Sequence, residues 1–567
     1  MESMRRTLTL VVAALVALAA AAVDGSAGPA ATQDPKEIAK QLLESDNGKL
    51  LTSNARLALE AAVRGDRGLG TDLAEDARGA GNTDAAAGRE AQGGDDPGEP
   101  KFRNVRVNNP AEDTQQIDQT TQSETSIAVV GSNIAVGFND SQNTLLRFTQ
   151  ATNLSGFGFS HDGGKSFTDG GVIPNKAGCL NFGDPWLTSD RTGAMFYSTL
   201  ALCLDPSRFS TLEVGVAKST DGGRTFSAPV IATKSAGALF YSADKDAMTA
   251  GRDPRLQRDN LYDAYDDFAG VFDPRTGFQF LHGLGVSRSI DGGATWQVSY
   301  ANRIPAFSRC SFTQYIGAMP LVDPGNGTLY VAALKFFQGF ANPGCPPPTP
   351  LTRSEVVFVS KDGGATFGPE RLIATVNKTI PSPGFFSLLN LGDAKLMRLL
   401  ELPTLAITGD GLFASWQEGL GGHAHVRLAR STDGGTTWAV STVTSGTGDE
   451  VQPAMSGDAS GLHILYYQRN RNNTLDVKVS NSSDAGATFD TRRVTTESSP
   501  GVFTFPQFDP IIAFGYMGDY IANVSDGTNQ FFAWGDNRDI VRDFFWPQGR
   551  NDPDVFFAVQ GRQEQED

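Results

Sequence analysis

Ser160-His-Asp-Gly-Gly-Lys-Ser-Phe167 is the first of six near-copies of one octapeptide. The others are Ser219-Thr-Asp-Gly-Gly-Arg-Thr-Phe226, Ser289-Ile-Asp-Gly-Gly-Ala-Thr-Trp296, Ser360-Lys-Asp-Gly-Gly-Ala-Thr-Phe367, Ser431-Thr-Asp-Gly-Gly-Thr-Thr-Trp438 and Ser482-Ser-Asp-Ala-Gly-Ala-Thr-Phe489. The aspartate accepts hydrogen bonds from turn N–H groups. Glycine takes positive φ at little cost. The closing Phe or Trp supplies a large apolar anchor between neighbouring sheets. Each copy therefore reads as a hairpin-folding device, and its aspartate as structural.

A second repeat lies between these turns. Thr125–Val130, Pro185–Ser189, Ala247–Ala250, Gly317–Val322, Pro403–Ile407, Pro453–Ser456 and Tyr520–Val524 are short runs of small and branched residues. Each is followed by a turn and a second strand, such as Asn133–Asn139 or Gln530–Trp534. Seven hairpins against six octapeptides imply a ring whose last unit is completed from elsewhere. After the last hairpin only Asp554–Val559 remains as a strand. Phe102–Asn108 is β-rich and precedes the first hairpin, so it is predicted to pair into the last sheet and cover its edge. The expected fold is all-β: a seven-bladed β-propeller closed by an N-terminal strand.

The chain has 567 residues, with 63 Gly and 29 Pro, which favours turns over long helices. Residues 1–28 read as a signal peptide: Arg5 and Arg6, then the apolar stretch Leu8–Val23, then small residues. Residues 29–100 are rich in Ala, Gly and acidic residues, and read as a largely disordered spacer with short helices at Lys36–Leu43 and Asn54–Val63. The propeller spans 101–560 and a polar tail 561–567. A net charge of -17 disfavours nucleic acid as a partner. No stable membrane insertion is expected, and the protein is expected to be secreted or held at the cell surface as a monomer.

Cys179 and Cys203 flank the second hairpin, and Cys310 and Cys345 the fourth. Each pair is predicted to form a disulfide tying two loops on one face. No Cys-x-x-Cys spacing points to thiolate metal binding.

In a propeller, the loops entering the first strands and those leaving the second strands meet at one mouth. Asp184, Asp519 and Tyr520 are the leading catalytic candidates there, with Glu124 in reserve. Two carboxyl groups serve glycosidases as acid and base or nucleophile, and a tyrosine replaces the nucleophile in sialidases. Lys245, Asp246, Arg147, Arg469, Asp536 and Arg538 are candidate substrate contacts. No catalytic cofactor or metal is expected. An acidic mouth offers ligands for a structural Ca²⁺, although no EF-hand spacing is present.

The six octapeptides match the Asp-box, and with the export signal the chain resembles the Asp-box proteins of the sialidase-like superfamily over roughly residues 101–560. Gln122–Ala128, Gly183-Asp-Pro185, Asp244-Lys245 and Gly518-Asp-Tyr520 resemble a secreted, glycosyl hydrolase-like branch. The resemblance implies hydrolysis of sialic acid or another glycan without a metal in the chemical step. The chain departs from the sialidase pattern in Phe102-Arg-Asn-Val105, where Arg103 falls in an outer strand and is a poor substrate-gripping arginine. A non-catalytic carbohydrate- or protein-binding propeller and a polysaccharide lyase are the alternative readings. The five histidines, His161, His282, His423, His425 and His463, read as structural.

Overall fold

The computed structural model describes residues 102–110, 122–140, 153–203, 211–235, 238, 240–253, 258–273, 277–380, 386–392, 395–446, 448–501, 517–542 and 547–561. The expected signal peptide, the expected spacer with its two short helices, and the tail after Gly561 lie outside them. Among the described residues there is no α-helix, and no helix is long and apolar enough to cross a membrane.

The strands are β1 (Val105–Arg106), β2 (Gln122–Val130), β3 (Asn133–Asp140), β4 (Ser155–Ser160), β5 (Thr168–Val172), β6 (Cys179–Asn181), β7 (Trp186–Ser189), β8 (Met195–Cys203), β9 (Thr211–Ser219) and β10 (Val230–Ile231). They continue with β11 (Phe240–Arg252), β12 (Asp259–Asp273), β13 (Gly277–Ser289), β14 (Gln297–Pro305), β15 (Ser311–Val322), β16 (Leu329–Gly339), β17 (Thr352–Ser360), β18 (Arg371–Val376), β19 (Ser387–Asn390) and β20 (Leu396–Leu399). The last are β21 (Thr404–Thr408), β22 (Gly411–Leu420), β23 (His423–Ser431), β24 (Ala439–Thr442), β25 (Glu450–Asp458), β26 (Gly461–Arg469), β27 (Leu475–Ser482), β28 (Asp490–Arg493), β29 (Ala522–Ser525), β30 (Asn529–Val541) and β31 (Arg550–Gly561).

They pair as antiparallel four-strand runs in chain order: β2–β5, β7–β10, β11–β14, β15–β18, β21–β24, β25–β28, and β29–β31 completed by β1; a parallel pairing of Ser242 on β11 with Leu212 on β9 joins the second and third runs, with β6 on β8, into one nine-stranded sheet. The first strands touch in succession, β2 to β7, then β11, β15, β21, β25 and β29, and β29 touches β2. Apolar side chains fill the layers between consecutive sheets: Val136 and Phe138 pack with Ala533 and Phe557, and Ala414 and Trp416 with Ala332 and Val357.

The N-terminal strand sits on the last sheet, as its sequence implies. Val105 pairs with Phe557, the Val107 N–H donates to Val555 O at 2.8 Å, and Asn108 Nδ2 donates to Asp554 Oδ1 at 2.7 Å. Phe102 packs edge-on against Phe532.

Each octapeptide closes on its aspartate. In the first, Ser160 Oγ donates to Asp162 Oδ1 at 2.7 Å and Ser166 Oγ to Oδ2 at 2.6 Å, while Ser166 N donates to Oδ1 at 3.0 Å. The same pattern recurs at Asp221, Asp291, Asp362, Asp433 and Asp484. The hydroxyl donors hold the Asp162 carboxyl well below the usual carboxylate range. Gly164 has φ +83°, and a Cβ there would lie 2.3 Å from the Phe557 ring. Phe167 meets that same ring at 4.9 Å between centroids, so the turn of one sheet packs directly on the next.

Three features differ from the sequence expectations. Both disulfides form, but Cys179 and Cys203 face each other across paired strands β6 and β8 rather than across two loops, because β8 runs on to Cys203. In the third run the first three strands are 13 to 15 residues long, well beyond Ala247–Ala250, and β14 has 9. A separate hairpin, β19–β20, is inserted between β18 and β21. Its apolar residues Leu389, Met397 and Leu399 are buried in a core shared with Val477 and Trp534.

Candidate active site

The first strands begin in a strained way. Of the six described non-glycine residues with positive φ, four stand at these strand starts: Glu124 (55°), Asp184 (52°), Lys245 (35°) and Gln452 (51°). Register shifts fall at the same place in β2, β11, β15 and β25, where one strand carries extra residues. Left-handed backbone at a non-glycine residue costs roughly 1–3 kcal/mol and clusters at functional sites. Gathering it on polar side chains from four strand starts marks this end as the place to look for chemistry.

Glu124 is buried and acts as a brace. Its Oε1 accepts the Asp519 N–H at 3.0 Å and its Oε2 accepts Asn139 Nδ2 at 2.8 Å. Asn139 Oδ1 in turn accepts the Asp184 N–H at 2.8 Å. Gly518 is required beside it, since a Cβ there would lie 2.7 Å from the Glu124 nitrogen. One polar chain thus sets the backbone that carries Asp184 and Asp519.

Asp519 receives two hydrogen bonds from Arg398, one from Nε at 3.1 Å and one from the second guanidinium nitrogen. Such a bidentate pair fixes the carboxylate plane. Arg398 comes from the inserted hairpin β20 and lies over the Phe386 ring. Its role was not legible in the sequence, because nothing in Leu-Met-Arg-Leu marks the arginine as facing the mouth.

Tyr520 is buried with its hydroxyl donated to Pro185 O at 3.0 Å. The Lys245 ammonium sits 4.0 Å from the Tyr520 ring centre and 4.5 Å from that of Trp186. The same ammonium donates to Asp246 O at 3.1 Å. Tyr520 therefore forms a wall and a cation seat.

Burial pushes the Asp184 carboxyl well above its ordinary range, and Glu124, Asp244 and Asp246 add to the rise. Burial raises Asp244 to about 6, with Asp519 adding to the rise and the Lys245 N–H and Arg398 working against it. Asp246 is raised to about 7, again chiefly by burial. Asp519, Lys245, Tyr520 and Trp186 line a cavity of about 110 Å³ together with apolar residues such as Leu402 and Met455.

The remaining described candidates are engaged with other partners. Asp536 and Arg538 pair with each other at 2.5 Å, and Arg538 also reaches Asn104 and Thr496 at the N-terminal strand. Arg469 binds Asp449 at 2.8 Å and Asn390 O at 2.9 Å. Arg427 on β23, a further arginine of the sheets, pairs with Glu418. Among the described residues, these arginines stand on different strands with separate carboxylates and do not converge. Arg147 lies outside the described residues. No group of three or more His, Cys, Asp or Glu side chains is placed to hold a metal among the described residues.

No family model matches the chain, and no curated protein matches it. Among solved structures, a Hadza microbial sialidase is similar at 13% identity and TM-score 0.37, over 67% of this chain and 65% of that one. The phage phi92 endosialidase is similar at 10% identity and TM-score 0.40, over 81% and 69%. The Penicillium chrysogenum α-L-arabinanase is similar at 13% identity and TM-score 0.37, over 67% and 93%.

Proposed function

We propose that the chain is an exported seven-bladed β-propeller, spanning residues 101–560, that hydrolyses glycans as a glycosidase of sialidase-like type. The circuit of first strands and the β1–β31 pairing support the seven blades. The two disulfides support an oxidising destination.

One observation carries the enzymatic reading. Asp184, Asp244 and Asp519, from the starts of three different four-strand runs, meet at one mouth, and their surroundings differ. Asp244 titrates at about 6, which suits a general acid near neutral pH, while Asp519 is ion-paired with Arg398. In this reading Asp244 protonates the leaving oxygen. Asp519 faces the positive charge that develops on the sugar, or activates water. Asp184 is the alternative acid, Glu124 the brace, and Lys245 the cation that offsets the carboxyls. Tyr520 orients Lys245 and Pro185.

An α-sialoside brings its own carboxylate, which calls for converging arginines. Lys245 and Arg398 are the cations beside Asp184, Asp244, Asp246 and Asp519, and both are engaged. A neutral terminal sugar is the better fit. Carbohydrate binding without cleavage is the second reading, supported by the commitment of the Tyr520 hydroxyl to Pro185 O. Release of a fluorogenic group from sialosides and neutral glycosides, with wild type and Asp244→Asn, tests the proposal. Hydrolysis lost in the variant supports it. No release from any glycoside, with retained binding on a glycan array, assigns the protein to the second reading.

A further inference from the structure

Beneath the mouth lie two aspartates that the proposed chemistry does not use directly. Asp246 on β11 and Asp263 on β12 are both fully buried. Ser198 Oγ on β8, also fully buried, is within hydrogen-bond distance of Oδ2 of each. The other oxygen of each carboxyl, Oδ1, has no hydrogen-bond partner among the described residues.

A proton count settles what this arrangement requires. A serine hydroxyl carries one proton. It donates to one carboxylate and has only lone pairs left for the other. The second contact is attractive only if that carboxyl brings its own proton and donates it to Ser198 Oγ. Two bare carboxylates in this dry position would each face the other's charge and leave four oxygens to share one donor. The surroundings offer little relief. Lys245 and Asp244 adjoin from β11, Asp184 from the start of β7, and the Tyr197 hydroxyl from β8. Of these Lys245 is the one cation, and its ammonium is directed to Asp246 O and the two aromatic rings.

We propose that Asp246, Ser198 and Asp263 form a buried relay that retains one shared proton and so holds the layer beneath the mouth at a single negative charge opposite Lys245. The three are positioning residues. They deepen the glycosidase reading by setting the field in which Asp184 and Asp244 titrate, and to that extent rest on it. The retained proton does not depend on that reading. Burial raises Asp246 to about 7, in keeping with a proton held through the mildly acid range.

The unfolded chain releases this proton near the ordinary carboxyl pKa of 3.8, while burial of both Asp246 and Asp263 holds it in the folded chain to a higher value. Stability from the relay is complete below the first value and is lost as pH rises through the second. Across that window one retained proton changes the unfolding constant about tenfold per pH unit.

Asp263→Asn replaces one of the two carboxyls that share the proton by a neutral amide that donates to Ser198 Oγ without a titrating proton. Asp246→Asn does the same from the other side, so one variant suffices if the other fails to fold. Urea unfolding of the full chain from about pH 5 to about pH 7 reads the slope directly. Either variant is expected to lower the proton-linked slope by one proton relative to wild type. Infrared spectra are expected to lose one buried carboxylic-acid band. Equal slopes and equal carboxylic-acid bands in wild type and variant overturn the relay, whatever the protein does to glycans.

Discussion

Arg398 and Asp519 meet at the mouth from elements 121 residues apart, the guanidinium spanning both carboxylate oxygens. The arginine arrives on an inserted hairpin and the aspartate on the start of the last sheet's first strand. The pair joins two otherwise distant segments at the place where the carboxyls gather.

Arg398→Met removes the cation that opposes the raised Asp244 carboxyl. Asp244 is expected to titrate above about 6 in the variant. In the glycosidase reading, the limb of the pH–rate profile assigned to Asp244 moves to higher pH and kcat/KM falls by about 10²-fold. NMR titration of the aspartate side chains checks the first statement independently of activity.

Tyr520→Phe separates a nucleophile from a wall. The hydroxyl donates to Pro185 O, so its loss is expected to cost about 1 kcal/mol of stability. The ring that seats Lys245 is retained. Activity is expected to stay within about tenfold of wild type. A loss of several orders of magnitude in kcat, with unchanged unfolding, would assign the phenol to the chemistry.

The two glycines of the first octapeptide are expected to respond differently. Gly163 has φ +75° and open space around it, whereas a Cβ on Gly164 meets Phe557. Gly163→Ala should cost about 1–2 kcal/mol from backbone conformation alone. Gly164→Ala adds an overpacking penalty of about 1–3 kcal/mol. Chemical denaturation of the pair measures the difference, and equal losses would contradict the packing described.

The N-terminal clasp is testable by truncation of one side chain. Phe102 is 7% exposed and packs on Phe532, so Phe102→Ala should lose about 3 kcal/mol. Removing residues 102–108 altogether should uncover the β31 edge and produce soluble aggregates on size-exclusion chromatography.

Stability as a whole is expected to decline from mildly acid to mildly alkaline pH. Asp244, Asp246 and Asp554 are raised to about 6, 7 and 8 from 3.8. Each contributes stability fully present below the unfolded value and lost as pH rises through the folded one. The octapeptide aspartates are shifted downward and act oppositely, but they are exposed and solvent screens them. Differential scanning calorimetry across this range should find Tm falling between about pH 5 and pH 8.

Much of the architecture was local in origin and therefore readable along the chain. The octapeptide carries its own hydrogen-bond partners within seven residues, the first strands show as short runs of small and branched residues, and both cysteine pairs lie within one sheet's span. The clasp was readable because one strand was missing at the end of the count and one was left over at its beginning. The mouth was only half legible. Position pointed to Asp184, Lys245, Asp246 and Asp519, because strand starts converge. Whether a side chain there is a brace, a wall or a titrating acid depends on what stands opposite, and the opposite residues lie tens to hundreds of positions away. Glu124 became a brace through Asn139 and the Asp519 N–H, Tyr520 a wall through Pro185 and Lys245, and Asp246 half of a pair through Ser198 and Asp263. Charge and desolvation act through space, so those assignments belonged to the tertiary structure.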